Sequence, residues 1–261
     1  MRLKQSVCFP ILGLGEAKTE LPSLFEAVAE IGFSAVEMWG RGGDFEEIVA
    51  QAGRHGLPLI AMVGHNSNAD GLNDPANHDR IAGELGESIE LAVRHGVGGL
   101  ICFSGNRREG VSDEQGIETT VQGLRRVATL AEKKGVTLLL ELLNSKVDHV
   151  GYQADHTAWG VEVCRRVASP AVKLLFDIYH MQIMEGDIIR TIRENIQWIG
   201  HFHAAGNPGR QDMDATQELN YAAICQAIAA TPYAGYFGHE FRPKGEPVEA
   251  MRRSFALCDQ G

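Results

Sequence analysis

The sequence predicts a closed (β/α)8 barrel that forms one domain over residues 1–261. Short apolar segments alternate with longer amphipathic segments, and this repeat occurs eight times along the chain. Such alternation implies a parallel sheet, because each right-handed crossover returns the chain in the same direction. Eight repeats are the number that closes a barrel, and 261 residues fall within the size range of that fold.

The predicted strands are short apolar runs bounded by glycine, proline or polar residues. The first run ends at Pro10, which lacks the N–H group that a strand ladder needs. The eight runs cover residues 6–9, 34–39, 58–63, 99–103, 136–140, 174–176, 198–202 and 236–241.

The predicted helices place apolar residues at the spacing of one helical face. Asp44 can cap the second helix and Asn77 or Asp79 the third, while Gly32 can cap the C-terminus of the first. The helices cover residues 21–31, 44–55, 77–95, 113–134, 157–167, 187–196, 221–230 and 248–257.

An open, doubly wound sheet is the alternative architecture for the same alternation. Its usual nucleotide-binding fingerprint needs three glycines at the start of the first helix. Gly13 and Gly15 are followed by no third glycine in register. The barrel is therefore the favoured prediction.

Charge and composition point to a small-molecule substrate. The formal net charge of −10 disfavours nucleic acid and anionic membranes, which both bind basic surfaces. The chain has neither an apolar run near the ~20 residues of a membrane-spanning helix nor a signal-peptide pattern. Its five cysteines are scattered without a C-x-x-C pair, so we expect a reducing, cytoplasmic environment.

Four consecutive predicted strands end on residues of types that commonly bind metal ions. Glu141, Asp177 and His203 follow the fifth to seventh apolar runs, and Glu240 follows Tyr236–His239 within the eighth. The carboxyl ends of barrel strands share one face, and neighbouring strands lie ~4.8 Å apart. Each residue alone could accept hydrogen bonds from loop amides, but three adjacent carboxylates would repel one another without a cation. The sequence therefore predicts one metal site, whose oxygen-rich donors suit Mn²⁺, Mg²⁺ or Co²⁺ better than structural Zn²⁺.

Several motifs together resemble hydroxypyruvate isomerases, within the xylose-isomerase-like superfamily of sugar isomerases and epimerases. The resemblance covers nearly the whole chain and is carried by residues 141–145, 164–167, 176–182, 201–203, 206–210, 218–221 and 238–241. It implies a xylose-isomerase-like barrel in which Glu141, Asp177, His203 and Glu240 bind Mn²⁺ or Mg²⁺, with Co²⁺ or Zn²⁺ as alternatives. It further implies that Glu141 and Glu240 are the catalytic, proton-transferring pair. Dimers and tetramers are common in such families, so the resemblance also allows a homo-oligomer.

The implied reaction is the conversion of hydroxypyruvate to tartronate semialdehyde, through an enediolate. Return of the proton to the opposite face of the same carbon would instead give a ketose 3-epimerase, and related sugar-phosphate isomerases and dehydratases use the same residues. Hydroxypyruvate isomerases often carry Gln where this chain has His203, whereas ketose epimerases carry His, which leaves the substrate open. A DNA-cleaving metalloenzyme and a non-catalytic sugar-binding protein are the remaining, disfavoured alternatives.

Four further residues are candidates for substrate binding. By resemblance, His180 holds a substrate oxygen, although it could also cap a helix. Arg210 could bind a carboxylate through two hydrogen bonds or be a solvated loop charge. His65 and Asn106 follow the third and fourth strands and could line the pocket or belong to its polar rim.

Overall fold

The computed structural model describes residues 3–9, 21–40, 42 and 45–260. Its eight strands form a closed barrel in chain order, which confirms the predicted fold class. The strands are β1 Lys4–Cys8, β2 Ala35–Met38, β3 Leu59–Val63, β4 Gly99–Cys102, β5 Thr137–Glu141, β6 Val172–Asp177, β7 Ile199–Ala204 and β8 Tyr236–His239.

Each predicted helix is present, and one short helix was not predicted. The helices are α1 Leu21–Ile31, α2 Phe45–Arg54, α3 His78–His95, α4 Asp113–Lys134, α5 Thr157–Val167, α6 Ile178–Met184, α7 Ile188–Asn195, α8 Tyr221–Ala229 and α9 Pro247–Cys258. Helix α6 has 7 residues, too few to establish a helical period in the sequence. Pro10, Gly13, Gly15 and Asp44 lie outside the described residues.

The third helix begins at Asn77, one of the two predicted positions, but without the side-chain cap. Asn77 occupies the N-cap position of α3, but its side chain makes no capping hydrogen bond. Instead, a 3₁₀ turn over Pro75–Asn77 leads into the helix. Asp74 caps this turn by accepting a hydrogen bond from the backbone N–H of Ala76 at 3.0 Å.

The chain divides into two compact units, and the first contains Ala61–Gly186 and Gln197–His201. Strands β3 to β6 pair in parallel, with Glu141 opposite Leu175. Helix α4 starts at a capping box. The hydroxyl of Ser112 accepts a hydrogen bond from the backbone N–H of Gln115, and the backbone N–H of Ser112 donates to the side chain of Gln115. It ends at Gly135, whose φ of 69° is a left-handed conformation that glycine adopts readily.

The second unit contains Met1–Ile60, Asp187–Ile196 and Phe202–Gly261. Strand β1 pairs in parallel with both β2 and β8, and β8 pairs with β7. The register places Gly238 opposite both Ser6 and His203. This pairing brings residues from the two ends of the chain beside each other. Whether the two units make up a single domain over 1–261 stays a prediction.

Among the helices that the structure describes, none is both long and apolar enough to span a membrane.

Candidate metal centre and active site

The four predicted metal-binding residues all lie at the carboxyl ends of strands. Glu141 and Asp177 are the last residues of β5 and β6, His203 is next to last in β7, and Glu240 directly follows β8. None is more than 5% exposed. Ionisable groups this deeply buried require partners or a bound ion, because desolvating an unpaired charge is costly.

The structure describes buried groups of acidic and histidine side chains that could bind a metal ion. The donors at the four strand ends are three carboxylates and one imidazole. Hard divalent cations such as Mn²⁺ and Mg²⁺ prefer oxygen donors, and imidazole is also a ligand for first-row metals such as Mn²⁺. The donor chemistry therefore fits such a cation.

Glu141 is anchored through its backbone. Its carbonyl oxygen accepts a hydrogen bond from the hydroxyl of Tyr152 at 3.0 Å. The same hydroxyl accepts the backbone N–H of Ser104 at 2.9 Å. Tyr152 is fully buried, and burial raises the pKa of its phenol, which stays neutral and able to donate. The end of β5 is thus fixed by a buried side chain from the following loop.

Asp177 has a second role as the N-cap of α6. Its Oδ1 accepts hydrogen bonds from the N–H groups of Tyr179 at 2.9 Å and His180 at 3.2 Å. These bonds satisfy two amides at the start of the helix, where intrahelical acceptors are missing. The carboxylate that ends β6 is therefore held in place by the helix that it starts.

His180 lies in a hydrogen-bonded cluster that fixes its proton. The Oδ1 atom of Asn144 accepts two backbone N–H groups, from Val147 and Asp148. The Asn144 amide nitrogen therefore faces Nδ1 of His180, at 2.6 Å. Since that amide donates, Nδ1 accepts, and the imidazole proton is assigned to Nε2. Nε2 lies 3.5 Å from Oδ2 of Asp177.

His203 lies between two carboxylates. Its Nε2 is 2.9 Å from Oε2 of Glu37. Its Nδ1 is 3.0 Å from Oε2 of Glu240. The two carboxylates hold the imidazole ring from both sides.

Glu240 accepts hydrogen bonds on both carboxylate oxygens. Trp39 donates its indole N–H to Oε1 at 2.7 Å, and the thiol of Cys8 lies 3.5 Å from the same oxygen. Arg210 forms an ion pair with Oε2. Burial by itself raises the pKa of Glu240, but the charges of Arg210 and His203 outweigh it and hold that pKa well below its ordinary value. Glu240 is therefore ionised, the form that can take up a proton.

Arg210 is placed by a constrained loop. Its φ of 54° is in the left-handed region, which non-glycine residues adopt infrequently. Its carbonyl oxygen accepts the backbone N–H of Arg242, two residues after Glu240, at 2.8 Å. Gly206 and Gln211 form an isolated antiparallel bridge on either side of it. These contacts bring the guanidinium beside Glu240.

The other two candidates for substrate binding lie elsewhere on the loops. Both ring nitrogens of His65 contact the backbone, Nδ1 at the carbonyl of Asn66 and Nε2 at the N–H of Phe103. Asn106 is exposed and forms an isolated bridge with Tyr152. A role in substrate binding stays a prediction for both residues.

The contacts of His65 predict a pH dependence of stability. Burial lowers its pKa to about 4 from an ordinary 6.5. A proton on Nε2 would also meet the backbone N–H of Phe103, which that nitrogen accepts. Stabilisation is therefore complete above pH ~6.5 and is lost as the pH falls towards 4, by on the order of 3 kcal/mol. We expect the free energy of unfolding to fall more over this range in the wild type than in His65→Gln, as urea titrations would measure. Equal slopes would contradict the assignment.

Three contacts at this site were not predicted from the sequence. Glu37 is in the middle of an apolar strand, and its carboxylate could have been noticed for the same reason as those at the strand ends. Trp39 is the last residue of the second predicted run, and its indole N–H contacts Glu240. Asn144 was noted only within a matched motif, and its contact with His180 spans 36 residues.

Comparison with known proteins gives the same family as the sequence motifs. Residues 25–260 match the family described as xylose isomerase-like TIM barrel. A hydroxypyruvate isomerase of Escherichia coli (strain K12) is 30% identical over 245 residues, covering 87% of this chain and 90% of that protein. A 2-oxo-tetronate isomerase of Cupriavidus necator is 31% identical over 236 residues, covering 84% and 86%.

Among solved structures, AP endonuclease, family 2 from Brucella melitensis has a TM-score of 0.83 at 24% identity, covering 95% of this chain and 96% of that one. At this identity the likeness concerns the fold alone. The family match and the named isomerases confirm the predicted resemblance. The chain belongs to the xylose isomerase-like TIM barrel family and is an isomerase related to the hydroxypyruvate isomerases.

Proposed function

We propose that this protein is a divalent-metal-dependent isomerase that interconverts hydroxypyruvate and tartronate semialdehyde. The observation that carries the proposal is the set of four buried residues at successive strand ends. Glu141, Asp177, His203 and Glu240 end or directly adjoin the ends of β5 to β8, and none is more than 5% exposed. Buried carboxylates are stable when a cation balances their charge.

The same four residues are the proposed metal ligands, and Mn²⁺ or Mg²⁺ is the proposed ion. A divalent cation held there supplies Lewis acidity, which polarises the carbonyl and hydroxyl oxygens of a substrate and favours loss of the neighbouring proton.

Glu141 and Glu240 are the proposed proton-transferring pair. One carboxylate removes a proton from C3 of hydroxypyruvate and a proton is delivered to C2, while the hydroxyl proton moves from the oxygen on C3 to the oxygen on C2, which gives the aldehyde. Glu240 suits proton removal because Arg210, His203 and Trp39 favour its ionised form. Trp39 and Arg210 also fix the orientation of its carboxylate.

Substrate orientation is assigned to Arg210 and His180. Arg210 would bind the substrate carboxylate, since its guanidinium is pre-positioned at the site and matches a carboxylate in geometry. His180 would direct the proton on Nε2 towards a substrate oxygen near Asp177. A small hydroxy-carbonyl acid offers a group for each residue: a carboxylate for Arg210, and a carbonyl or hydroxyl oxygen for His180.

A ketose 3-epimerase is the alternative function, and His203 favours it because the resembling epimerases carry histidine at this position. Epimerisation would use the same glutamates on opposite faces of one carbon. The two reactions differ in which carbon of the substrate receives the proton.

Solvent exchange followed by NMR tests the proposal. Hydroxypyruvate, tartronate semialdehyde and a panel of ketoses would each be incubated in heavy water with Mn²⁺ or Mg²⁺, and again with chelator. We expect metal-dependent deuterium at C2 of the aldehyde formed from hydroxypyruvate. Label at C3 of a ketose, with no change in hydroxypyruvate, would favour the epimerase.

Arg210→Met tests carboxylate recognition, because methionine keeps the apolar length of the side chain without its charge. We expect KM for hydroxypyruvate to rise at least tenfold, since a charge-assisted hydrogen bond contributes roughly 1.5–3 kcal/mol. Steady-state kinetics would measure this rise. Arg242→Met is the matched control, because Arg242 is exposed and contacts the loop through its backbone N–H. An unchanged KM in Arg210→Met would exclude Arg210 as the carboxylate-binding residue.

A further inference from the structure

The imidazole of His203 is oriented by a buried carboxylate on the side away from Glu240. Nε2 lies 2.9 Å from Oε2 of Glu37, and Nδ1 faces Glu240. An ionised carboxylate accepts hydrogen bonds and donates none. Nε2 is therefore the donor in this pair, and Nδ1, which faces Glu240, is the ring atom left to bind a cation.

Glu37 is itself held in place. The hydroxyl of Ser6 donates to its Oε1 at 2.6 Å, and Glu37 is 1% exposed. Ser6 and Glu37 lie on adjacent strands, in a register that pairs Ser6 with Ala35. A side chain enclosed in this way has few alternative rotamers.

The neighbouring strand leaves room for this pair. Gly238 lies opposite His203 in the β7–β8 register. A Cβ atom at position 238 would come within 2.4 Å of Glu37 Oε1 and 2.8 Å of His203 Cδ2. Both distances are below any normal contact, so glycine at this position is what allows Glu37 and His203 to meet.

We propose that Glu37, held by Ser6, is a positioning residue that presents Nδ1 of His203 as a metal ligand. The inference rests on the proposed function, because it assumes that His203 binds a cation. A carboxylate that accepts the second N–H of a ligating histidine fixes the ring and its tautomer, and loss of such a partner costs about 10- to 100-fold in metal affinity. Glu37 thereby acts on the metal through His203.

Graded substitutions of Glu37 test the inference through Mn²⁺ affinity, measured by the electron paramagnetic resonance signal of unbound Mn²⁺. Glu37→Leu removes the acceptor, and we expect Kd to rise about 10- to 100-fold. Glu37→Gln retains an acceptor oxygen for Nε2, so most of the affinity should remain. Gly238→Ala should also weaken Mn²⁺ binding by displacing the pair. Gln5→Leu, which removes a buried polar contact to His239 in the same sheet, should leave Kd unchanged.

The outcomes are distinct. If the wild type binds no Mn²⁺, the proposed function fails. If the wild type binds and Glu37→Leu binds equally well, the positioning role is excluded while the metal site stands. Equal loss in Glu37→Gln and Glu37→Leu would make Glu37 a ligand itself and would likewise overturn the inference.

A measurement on the wild type keeps the inference testable if Glu37→Leu does not fold. Long-range ¹H–¹⁵N spectra of histidine-labelled protein with Mg²⁺ report the tautomer of each ring. The signals of His203 are identified by their loss in His203→Gln. We expect the proton of His203 on Nε2, and a proton on Nδ1 would overturn the proposal.

Discussion

Replacing Glu240 with glutamine is expected to lower kcat for hydroxypyruvate by on the order of 10³-fold, the contribution typical of a proton-transferring side chain. Glutamine keeps the size of the side chain and can still accept the indole N–H of Trp39. It cannot take up a proton and cannot balance the charge of Arg210. Steady-state kinetics with saturating Mn²⁺ would measure the loss separately from any weakening of metal binding.

The matched control is Glu249→Gln. Glu249 lies in the first turn of α9, is exposed, and is nine positions from Glu240. The Glu249→Gln substitution removes the same charge from the chain without changing the strand ends, so we expect this variant to have wild-type kinetics. If Glu240→Gln kept more than a tenth of wild-type kcat, the assignment of Glu240 as a proton-transferring residue would be wrong.

Asp177→Asn is expected to abolish metal binding while preserving the fold. The amide oxygen of asparagine can still accept the N–H groups of Tyr179 and His180, and asparagine is as good an N-cap as aspartate. The negative charge offered to the cation is lost. In the wild type, Mn²⁺ at one hundred times Kd should stabilise the protein by about 2.7 kcal/mol, and chelator should remove both this gain and turnover. The variant should show no such gain.

Thermal unfolding with and without Mn²⁺ measures this difference, and it does not depend on activity. Asp187→Asn is the control, because Asp187 is an exposed carboxylate at the N-cap of α7. Mn²⁺ should raise the melting temperature of Asp187→Asn as much as that of the wild type. If Mn²⁺ raised the melting temperature of Asp177→Asn as much as that of the wild type, Asp177 would not be a ligand.

The fold could be predicted from the sequence because its evidence is local. Each strand and each longer helix carries its own periodicity, and the number of repeats sets the closure of the barrel. The positions of Glu141, Asp177, His203 and Glu240 followed from the same pattern, since parallel strands present their carboxyl ends at one face. Helix α6 was missed because its 7 residues follow a strand without a break.

The connections between site residues could not be predicted because they join distant parts of the chain. Glu37 and His203 are 166 residues apart, and Trp39 and Glu240 are 201 residues apart. Sequence periodicity places each residue on a strand but gives no side-chain partner. Arg210 was selected for its charge, and its contact with Glu240 depends on a loop conformation with positive φ that no local pattern signalled.

The close approach at Gly238 constrains how this barrel can change by mutation. A methyl group at position 238 is incompatible with glutamate at position 37, but a smaller residue at 37 would leave space for it. In a library that randomises both codons, we expect clones that have glutamate at 37 and bind Mn²⁺ as tightly as the wild type to retain glycine at 238, and clones with alanine at 37 to accept alanine there. Positions 37 and 238 would then covary. Selection for a different metal would have to change both residues together.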